Sequence, residues 1–146
     1  MTFIHVQEKI SAQPETIWKA IEDVRTHVTW MTDAREIRIT SEQVEGVGLT
    51  FDCITQVGPL RTTDRMQVTE WVPNHIMGIM HKGLFTGEGK FTLEKSGEGE
   101  TVFIWEENLN FPFWLGGEIT GFMAKPILRH IWKKNIYRLK EKIEGL

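Results

Sequence analysis

Alternation of apolar and polar residues runs through the stretch between residues 35 and 110, and it restricts the fold more than any other feature of this chain. A period of two places successive side chains on opposite faces of a β-strand, whereas a helix needs a period of 3.6. The alternation is clearest where one face carries Phe85, Gly87, Gly89, Phe91 and Leu93. The opposite face carries Thr86, Glu88, Lys90, Thr92 and Glu94. The pattern predicts antiparallel strands that are apolar on one face.

The dipeptide Gly58-Pro59 fixes the alignment of two of these strands. Glycine accepts the positive φ at the first central position of a type II′ turn, and proline suits the second. A two-residue turn pairs Cys53 with Asp64, and paired residues share a face. The inner face is therefore predicted to hold Leu49, Phe51, Cys53, Thr55 and Val57, followed by Leu60, Thr62, Asp64, Met66 and Val68.

The next two turns are interpreted in the same way. A turn at Pro73-Asn74 should direct Met77 and Ile79 inward. A three-residue loop at His81-Lys82-Gly83, with the glycine in the left-handed conformation, would then pair Ile79 with Phe85. This interpretation leaves His81 in a tight loop at the rim of the sheet, as a solvated residue or as a gate to an entrance.

The last strand, predicted over residues 101–110, has no clear register because Phe103-Ile104-Trp105 is apolar on both faces. Glu106 and Glu107 are adjacent, so one of them faces inward in either register. We favour the register that places Phe103, Trp105 and Glu107 inward.

Helices are predicted at both ends of this sheet. Pro14 opens a short helix with an apolar face, and a second short helix follows over about residues 24–30. A long helix covers residues 115–144, and its apolar stripe is Leu128, Ile131, Trp132, Asn135, Ile136, Leu139 and Ile143. Extending the stripe backwards reaches only Gly121 and Ala124. Either the helix breaks near Pro126 and re-aims its first half, or it continues and the small residues leave a void against the sheet.

Composition bounds the remaining possibilities. The chain has 146 residues, of which 40% are hydrophobic and 25% charged, so we expect one folded domain over residues 1–146. Its apolar runs are too short for a membrane span. The net charge of −3 argues against nucleic acid as a partner. A single cysteine, Cys53, excludes an internal disulfide and favours a cytoplasmic setting. The five histidines lie on different elements, so no metal site and no cofactor are expected.

The order of elements and several short motifs resemble one known superfamily. The motifs are Pro14-Glu15-Thr16-Ile17-Trp18, Asp23 followed by Trp30, Gly46-Val47-Gly48, Gly58-Pro59-Leu60, Trp71-Val72-Pro73 and Tyr137-Arg138-Leu139-Lys140. Together they resemble the START-like (SRPBCC) superfamily, nearest its bacterial polyketide cyclase/dehydrase-type group, over almost the whole chain. The resemblance implies an α+β helix-grip fold. In this fold a curved antiparallel sheet of about seven strands wraps around a long C-terminal helix, and two short helices follow strand 1.

The same resemblance implies a deep cavity for an apolar molecule, such as a lipid, a polyketide or an aromatic metabolite. It carries over no catalytic residue. The inner faces predict which side chains line the cavity: Phe51, Cys53, Thr62, Asp64, Met66, Met77, Ile79, Phe85, Phe91, Phe103, Trp105, Glu107, Ala124, Leu128 and Trp132. A lining of this composition suits a small hydrophobic ligand, although these side chains would also suit a filled core. Glycines on the inner face, such as Gly89, either widen the cavity or bend the sheet.

Asp64 and Glu107 are the candidates for polar or catalytic roles within this lining. A carboxyl group in an apolar cavity tends to have a raised pKa, which suits a general acid or base. The alternative for each is a structural hydrogen bond or salt bridge. Cys53 has no evident activating base and is interpreted as a small core residue.

An apolar cluster lies before and within the start of the long helix, at residues 111–123. Its members are Phe111, Phe113, Trp114, Ile119, Phe122 and Met123. It is interpreted as a lid, a membrane-touching entrance, a dimer surface or ordinary packing on the sheet. The functional hypotheses are therefore a ligand carrier, a cyclase/dehydratase-like enzyme using an inward carboxylate, and an interaction module using this cluster. A monomer or a homodimer is expected, without stable membrane insertion.

Overall fold

The computed structural model describes residues 1–145, which form one antiparallel sheet and a long C-terminal helix. The strands are β1 (Thr2–Ile10), β2 (Ala34–Ile39), β3 (Thr50–Val57), β4 (Leu60–Val72), β5 (Ile76–Lys82), β6 (Thr86–Gly97) and β7 (Glu100–Asn110). The helices are α1 (Pro14–Ile21), a 3-10 helix (Val24–Thr29), a second 3-10 helix (Phe113–Leu115) and α2 (Gly117–Glu144). The sheet order β1-β7-β6-β5-β4-β3-β2 confirms the predicted α+β helix-grip architecture.

The β3–β4 hairpin has the predicted register. Cys53 pairs with Asp64 and Thr55 with Thr62, and Gly58 has the positive φ of +58° that the turn requires. Because paired residues share a face, Asp64 lies on the inner side of the sheet, where it is buried.

The β5–β6 hairpin has a different register from the predicted one. Ile79 pairs with Gly89 instead of Phe85, a shift of four residues, and His81 lies within β5 opposite Gly87. Strand β5 continues to Lys82 because β4 is long enough to pair with it as far as Arg65. The shift is even, so the inner and outer faces of both strands are unchanged.

The glycine in this loop has another role. Gly83 does not adopt the left-handed conformation that the turn prediction gives it. A Cβ atom at Gly83 would instead lie 3.0 Å from Oδ1 of Asp64 and 3.3 Å from its Cα. The small residue therefore permits a close approach of the loop to Asp64.

Strand β7 adopts the favoured register. Phe103, Trp105, Glu107 and Leu109 are all buried on the inner face. Glu106 faces outward, where its carboxylate lies 3.3 Å from Nδ1 of His5.

One end of the interior is filled by aromatic side chains. Trp30 is fully buried and lies within 5.7–6.2 Å, between ring centroids, of Phe91, Phe103 and Trp105. Helix α1 buries its predicted apolar face in the same core, through Ile17, Trp18 and Ile21.

Helix α2 runs unbroken through Pro126. Trp132, Ile136 and Leu139 are buried as predicted, whereas the apolar residues of the first half face solvent. The structure therefore has the second of the two predicted arrangements, in which small residues face the sheet. A Cβ atom at Gly121 would contact the side chains of Thr2 and Phe111, so this glycine lets the helix approach β1.

Candidate functional site: an apolar cavity with buried charges

A cavity of about 250 Å³ lies between the inner face of the sheet and α2. All the residues predicted from the sequence to line it do so, with the exception of Phe103. Phe103 is fully buried in the aromatic end, 5.1 Å from the ring of Phe91, so it packs behind the cavity wall. The additional lining side chains include Val24, His27, Met31, Asp33, Ile37, His81 and Phe111.

The cavity reaches solvent near the turn between β3 and β4. Leu60 in this turn and Ile127 on α2 both line the cavity, and they are 47% and 58% exposed. An opening between these two elements gives a small molecule a route to the interior.

Asp64 is the most unusual group in the cavity. It is buried, and its Oδ1 has no hydrogen-bond partner among the described residues. Its Oδ2 is 3.5 Å from Oγ1 of Thr62, a distance at the limit for a hydrogen bond. Burial raises the pKa of Asp64, and the nearby charge of His81 opposes this rise only in part. An orphaned carboxylate oxygen of this kind is costly unless another group meets it.

His81 and Glu107 form a buried ion pair in the same cavity. Nε2 of His81 donates to Oε1 of Glu107 over 2.8 Å, and both side chains are at most 8% exposed. Burial lowers the pKa of His81, but the charge and hydrogen bond of Glu107, aided by Asp64, outweigh burial and raise it overall. The imidazole is therefore held towards its protonated form.

Gly89 leaves the space that this ion pair needs. A Cβ atom there would lie 2.7 Å from Cγ of Glu107, which is closer than atoms pack. The sequence left open whether Gly89 widens the cavity or bends the sheet. In the structure, the side chain of Glu107 occupies the space above it.

Asp33 is a cavity residue that the sequence analysis missed. Its carboxylate accepts hydrogen bonds from Nδ2 of Asn135 over 2.7 Å and from Nε1 of Trp132 over 3.3 Å. Burial raises the pKa of Asp33, although these hydrogen bonds oppose the rise. The signal was Asn135 itself, because an amide within an apolar helix stripe requires a buried partner.

Two other titratable groups are held neutral. Burial raises the pKa of the Cys53 thiol to about 11, so Cys53 is a poor nucleophile at neutral pH. Burial also lowers the pKa of His27 to about 4, and Nε2 of this histidine donates to the carbonyl of Ile21 over 2.8 Å. Asp33 is occupied by its partners on α2, so the acidic and basic groups left to meet a ligand are Asp64, His81 and Glu107.

This arrangement can bind an apolar molecule and form hydrogen bonds with one polar group on that molecule. The apolar walls exclude water, Asp64 offers a free acceptor, and the His81–Glu107 pair stands beside it as a proton donor and acceptor. Residues 1–145 contain no cluster of three or more side chains suited to holding a metal ion.

Comparison with known proteins agrees with the fold. The family model described as "Polyketide cyclase / dehydrase and lipid transport" matches residues 1–144. No curated protein sequence matches the chain significantly.

Similar solved structures cover nearly the whole chain. A crystal structure from Thermus thermophilus superposes with a TM-score of 0.83 at 12% identity, covering 98% of this chain and 97% of that one. A START superfamily protein from Mycobacterium smegmatis gives 0.78 at 15% identity, covering 99% of each chain. The solution structure of the Aha1 dimer from Colwellia psychrerythraea gives 0.68 at 22% identity, covering 99% of this chain and 97% of that one. At these identities the likeness concerns the fold.

Proposed function

Because the chain belongs to the polyketide cyclase / dehydrase and lipid transport family, we propose that it reversibly binds a small, mainly apolar molecule in the cavity beneath α2. The observation that carries this proposal is the orphaned Oδ1 of Asp64 in a mainly apolar, open cavity. A filled core would leave such an oxygen at a large energetic cost, whereas a ligand with a hydrogen-bond donor relieves it.

The ligand is therefore an apolar body with one hydroxyl or amine group. Its polar end meets Asp64 beside the His81–Glu107 pair, and its apolar part contacts Met66, Met77 and the Trp132 ring. The cavity volume of about 250 Å³ lies just below the ~300–1,000 Å³ of pockets for drug-sized ligands. A compact aromatic metabolite, a short ketide or the end of a lipid chain fits this size.

Native mass spectrometry of gently purified protein, followed by organic extraction, is the first experiment. We expect a discrete co-purifying mass with an apolar skeleton and a donor group. Titration with a fluorescent apolar probe then measures binding directly.

The matched variants for this titration are Ala124→Phe and Val44→Phe. Ala124 lines the cavity, so the added ring fills it and should abolish probe uptake. Val44 is exposed in a loop, so the same ring there should leave uptake unchanged. Equal probe binding by both variants, or a solid core in a crystal structure, would contradict the proposal.

A second candidate is an enzyme of the cyclase/dehydratase kind, and the buried His81–Glu107 pair favours it. In this reaction class Asp64 would take or return a proton at the carbon next to a carbonyl of an enolisable ketide. Deuterium exchange at that carbon of a model 1,3-diketone, followed by NMR in D₂O, detects the step. Asp64→Asn separates the candidates, because an enzyme loses exchange and keeps binding, whereas a carrier shows no catalysed exchange and loses affinity.

We also propose that residues 1–146 form a single ligand-binding domain that works in the cytoplasm as a monomer or a homodimer. The lone, buried Cys53 suits a reducing compartment. Sedimentation equilibrium and cell fractionation test the two parts of this statement.

A further inference from the structure

Six strongly exposed apolar side chains lie on the second 3-10 helix and on the first half of α2. Phe113 is 89% exposed and Phe122 is 79% exposed, values that are unusual for such large side chains. The full set, called here the apolar patch, is Phe113, Trp114, Ile119, Phe122, Met123 and Ile127. Of the cluster predicted at residues 111–123, only Phe111 turns inward, where it packs on Phe85 at 5.0 Å. Ordinary packing therefore does not explain the patch.

A row of cations continues the apolar patch along the same side of α2. Residues three or four positions apart lie on the same face of a helix. By this spacing Lys133 and Lys134 share a face with Ile119 and Phe122, and all four are exposed. These cations, called here the basic stripe, are Arg129, Lys133, Lys134 and Arg138. Between residues 119 and 140 the sequence contains no aspartate or glutamate.

This distribution of charge differs from that of the whole chain, which has a net charge of −3. The basic stripe is therefore a local feature that attracts an anionic surface, while the rest of the molecule carries the excess of carboxylates. Aromatic and aliphatic side chains next to lysine and arginine are the composition of helices that lie in a membrane interface.

The cavity mouth borders the same surface. Ile127 belongs to the apolar patch and also lines the cavity. Its neighbours Ala124 and Leu128 on α2 line the cavity too. A flat surface that covers the patch therefore faces the entrance through which an apolar ligand passes.

We propose that the apolar patch and the basic stripe dock the protein reversibly onto an anionic phospholipid membrane, with the cavity mouth facing the bilayer. The patch inserts into the interfacial region, and the stripe contacts the anionic headgroups. None of the helices within residues 1–145 is long and apolar enough to cross a membrane. In the proposed docking, α2 lies along the surface. A second copy of the chain is the alternative occupant, and it would leave the basic stripe without an anionic partner.

Flotation with lipid vesicles tests the proposal. Vesicles of phosphatidylcholine with about 30% phosphatidylglycerol should bind the protein roughly tenfold more tightly than pure phosphatidylcholine vesicles. Raising the salt from ~0.1 M to ~1 M should remove most of this difference, because screening weakens the attraction of the stripe.

Paired variants separate the two parts of the surface. Phe122→Ser/Met123→Ser should reduce binding to both kinds of vesicle roughly tenfold, and Lys133→Glu/Lys134→Glu should abolish the preference for anionic lipid. The controls are Val47→Ser, at an exposed loop valine, and Arg65→Glu/Lys95→Glu, which makes the same charge change on exposed sheet residues. Both controls should bind as the unmodified protein does, and thermal unfolding verifies that all the variants are folded.

Three results would overturn the proposal. They are absence of binding to anionic vesicles, equal effects of the sheet and helix charge variants, and a dimer in sedimentation that Phe122→Ser/Met123→Ser converts to monomer. Vesicle binding needs no bound ligand, so failure here leaves the probe titrations with Ala124→Phe unaffected. The two proposals can therefore fail independently.

Discussion

The same two strands, β6 and β7, line both ends of the interior, but one end is tightly packed and the other contains a cavity. At the closed end Phe91 of β6 and Phe103 of β7 pack with Trp30, and Phe103 lies behind the cavity wall. Towards the open end the inner positions of the same strands are Gly89 and Glu107, which pair with each other, and Glu107 lines the cavity. One end has large rings in contact, and the other has a small residue, buried charge and empty space.

This difference suggests that one part of the sheet stabilises the fold and another part forms the candidate site. Close packing of aromatic rings increases the free energy of unfolding, because contact area and the absence of voids stabilise a core. Buried charge and a cavity both cost stability. The closed end should therefore govern the free energy of unfolding, and the open end should govern ligand chemistry.

The largest expected effect is loss of the Phe103 ring. Phe103→Ala removes a fully buried side chain and should lower the free energy of unfolding by about 3–5 kcal/mol. Phe85→Ala at the open end is the matched change, and because Phe85 is only half-buried beside a cavity it should cost less than ~2 kcal/mol. Urea unfolding measures both values. Equal losses would remove the distinction between the two ends.

The second effect concerns His27, which lies against the aromatic end. Its folded pKa of about 4 is below the unfolded value near 6.5, so the unfolded chain binds the proton more readily. Its contribution is fully present above pH ~6.5 and is lost as pH falls, reaching a loss of about 3 kcal/mol near pH 4. The difference in unfolding free energy between the unmodified protein and His27→Phe should shrink by this amount between pH 7 and pH 4. A constant difference would show that His27 is not held neutral.

His81 at the open end should respond to pH with the opposite sign. Its folded pKa is raised, so its contribution is fully present below pH ~6.5 and is lost as pH rises through the folded value. Glu107→Gln removes the charged partner and keeps the shape. It should therefore lower the pKa of His81 and reduce stability at pH 6 by about 2 kcal/mol.

NMR titration of the histidine ring protons measures this shift. Glu106→Gln is the control, because Glu106 precedes Glu107 but faces outward towards His5. The control should leave the titration of His81 unchanged. A His81 pKa that is insensitive to Glu107→Gln would contradict the ion pair.

Much of the fold is predictable because local rules determine it. The Gly58-Pro59 turn sets the β3–β4 register without reference to any distant residue, and alternation then assigns the faces of the neighbouring strands. The predicted β5–β6 loop is wrong because the length of β5 depends on its partner β4, not on its own turn residues. An error of an even number of residues leaves the faces correct, so the predicted cavity lining is little affected.

The charged site is less predictable, because it depends on contacts between distant residues. The β3–β4 pairing places Asp64 inward, and the favoured register of β7 places Glu107 inward. The partner of Glu107 is His81, whose position differs from the predicted one because the β5–β6 register differs. Asp33 lies just before β2, outside any alternating strand, and its side-chain partners Trp132 and Asn135 are distant in sequence. Sequence patterns thus identify which groups face the interior but not which groups meet there.

The smallest predicted effect bears most directly on the open end. The pKa of Asp64 is raised above its unfolded value near 3.8, so this carboxylate opposes folding increasingly as pH rises above 3.8. Asp64→Asn removes the buried charge and should raise the free energy of unfolding by about 1 kcal/mol at pH 7 and by nothing near pH 3. Asp52→Asn, on the outer face of β3, is the control and should show no such gain. If Asp64→Asn destabilises the protein at pH 7, then Oδ1 has a structural partner, and the open end is not a site kept at the expense of stability.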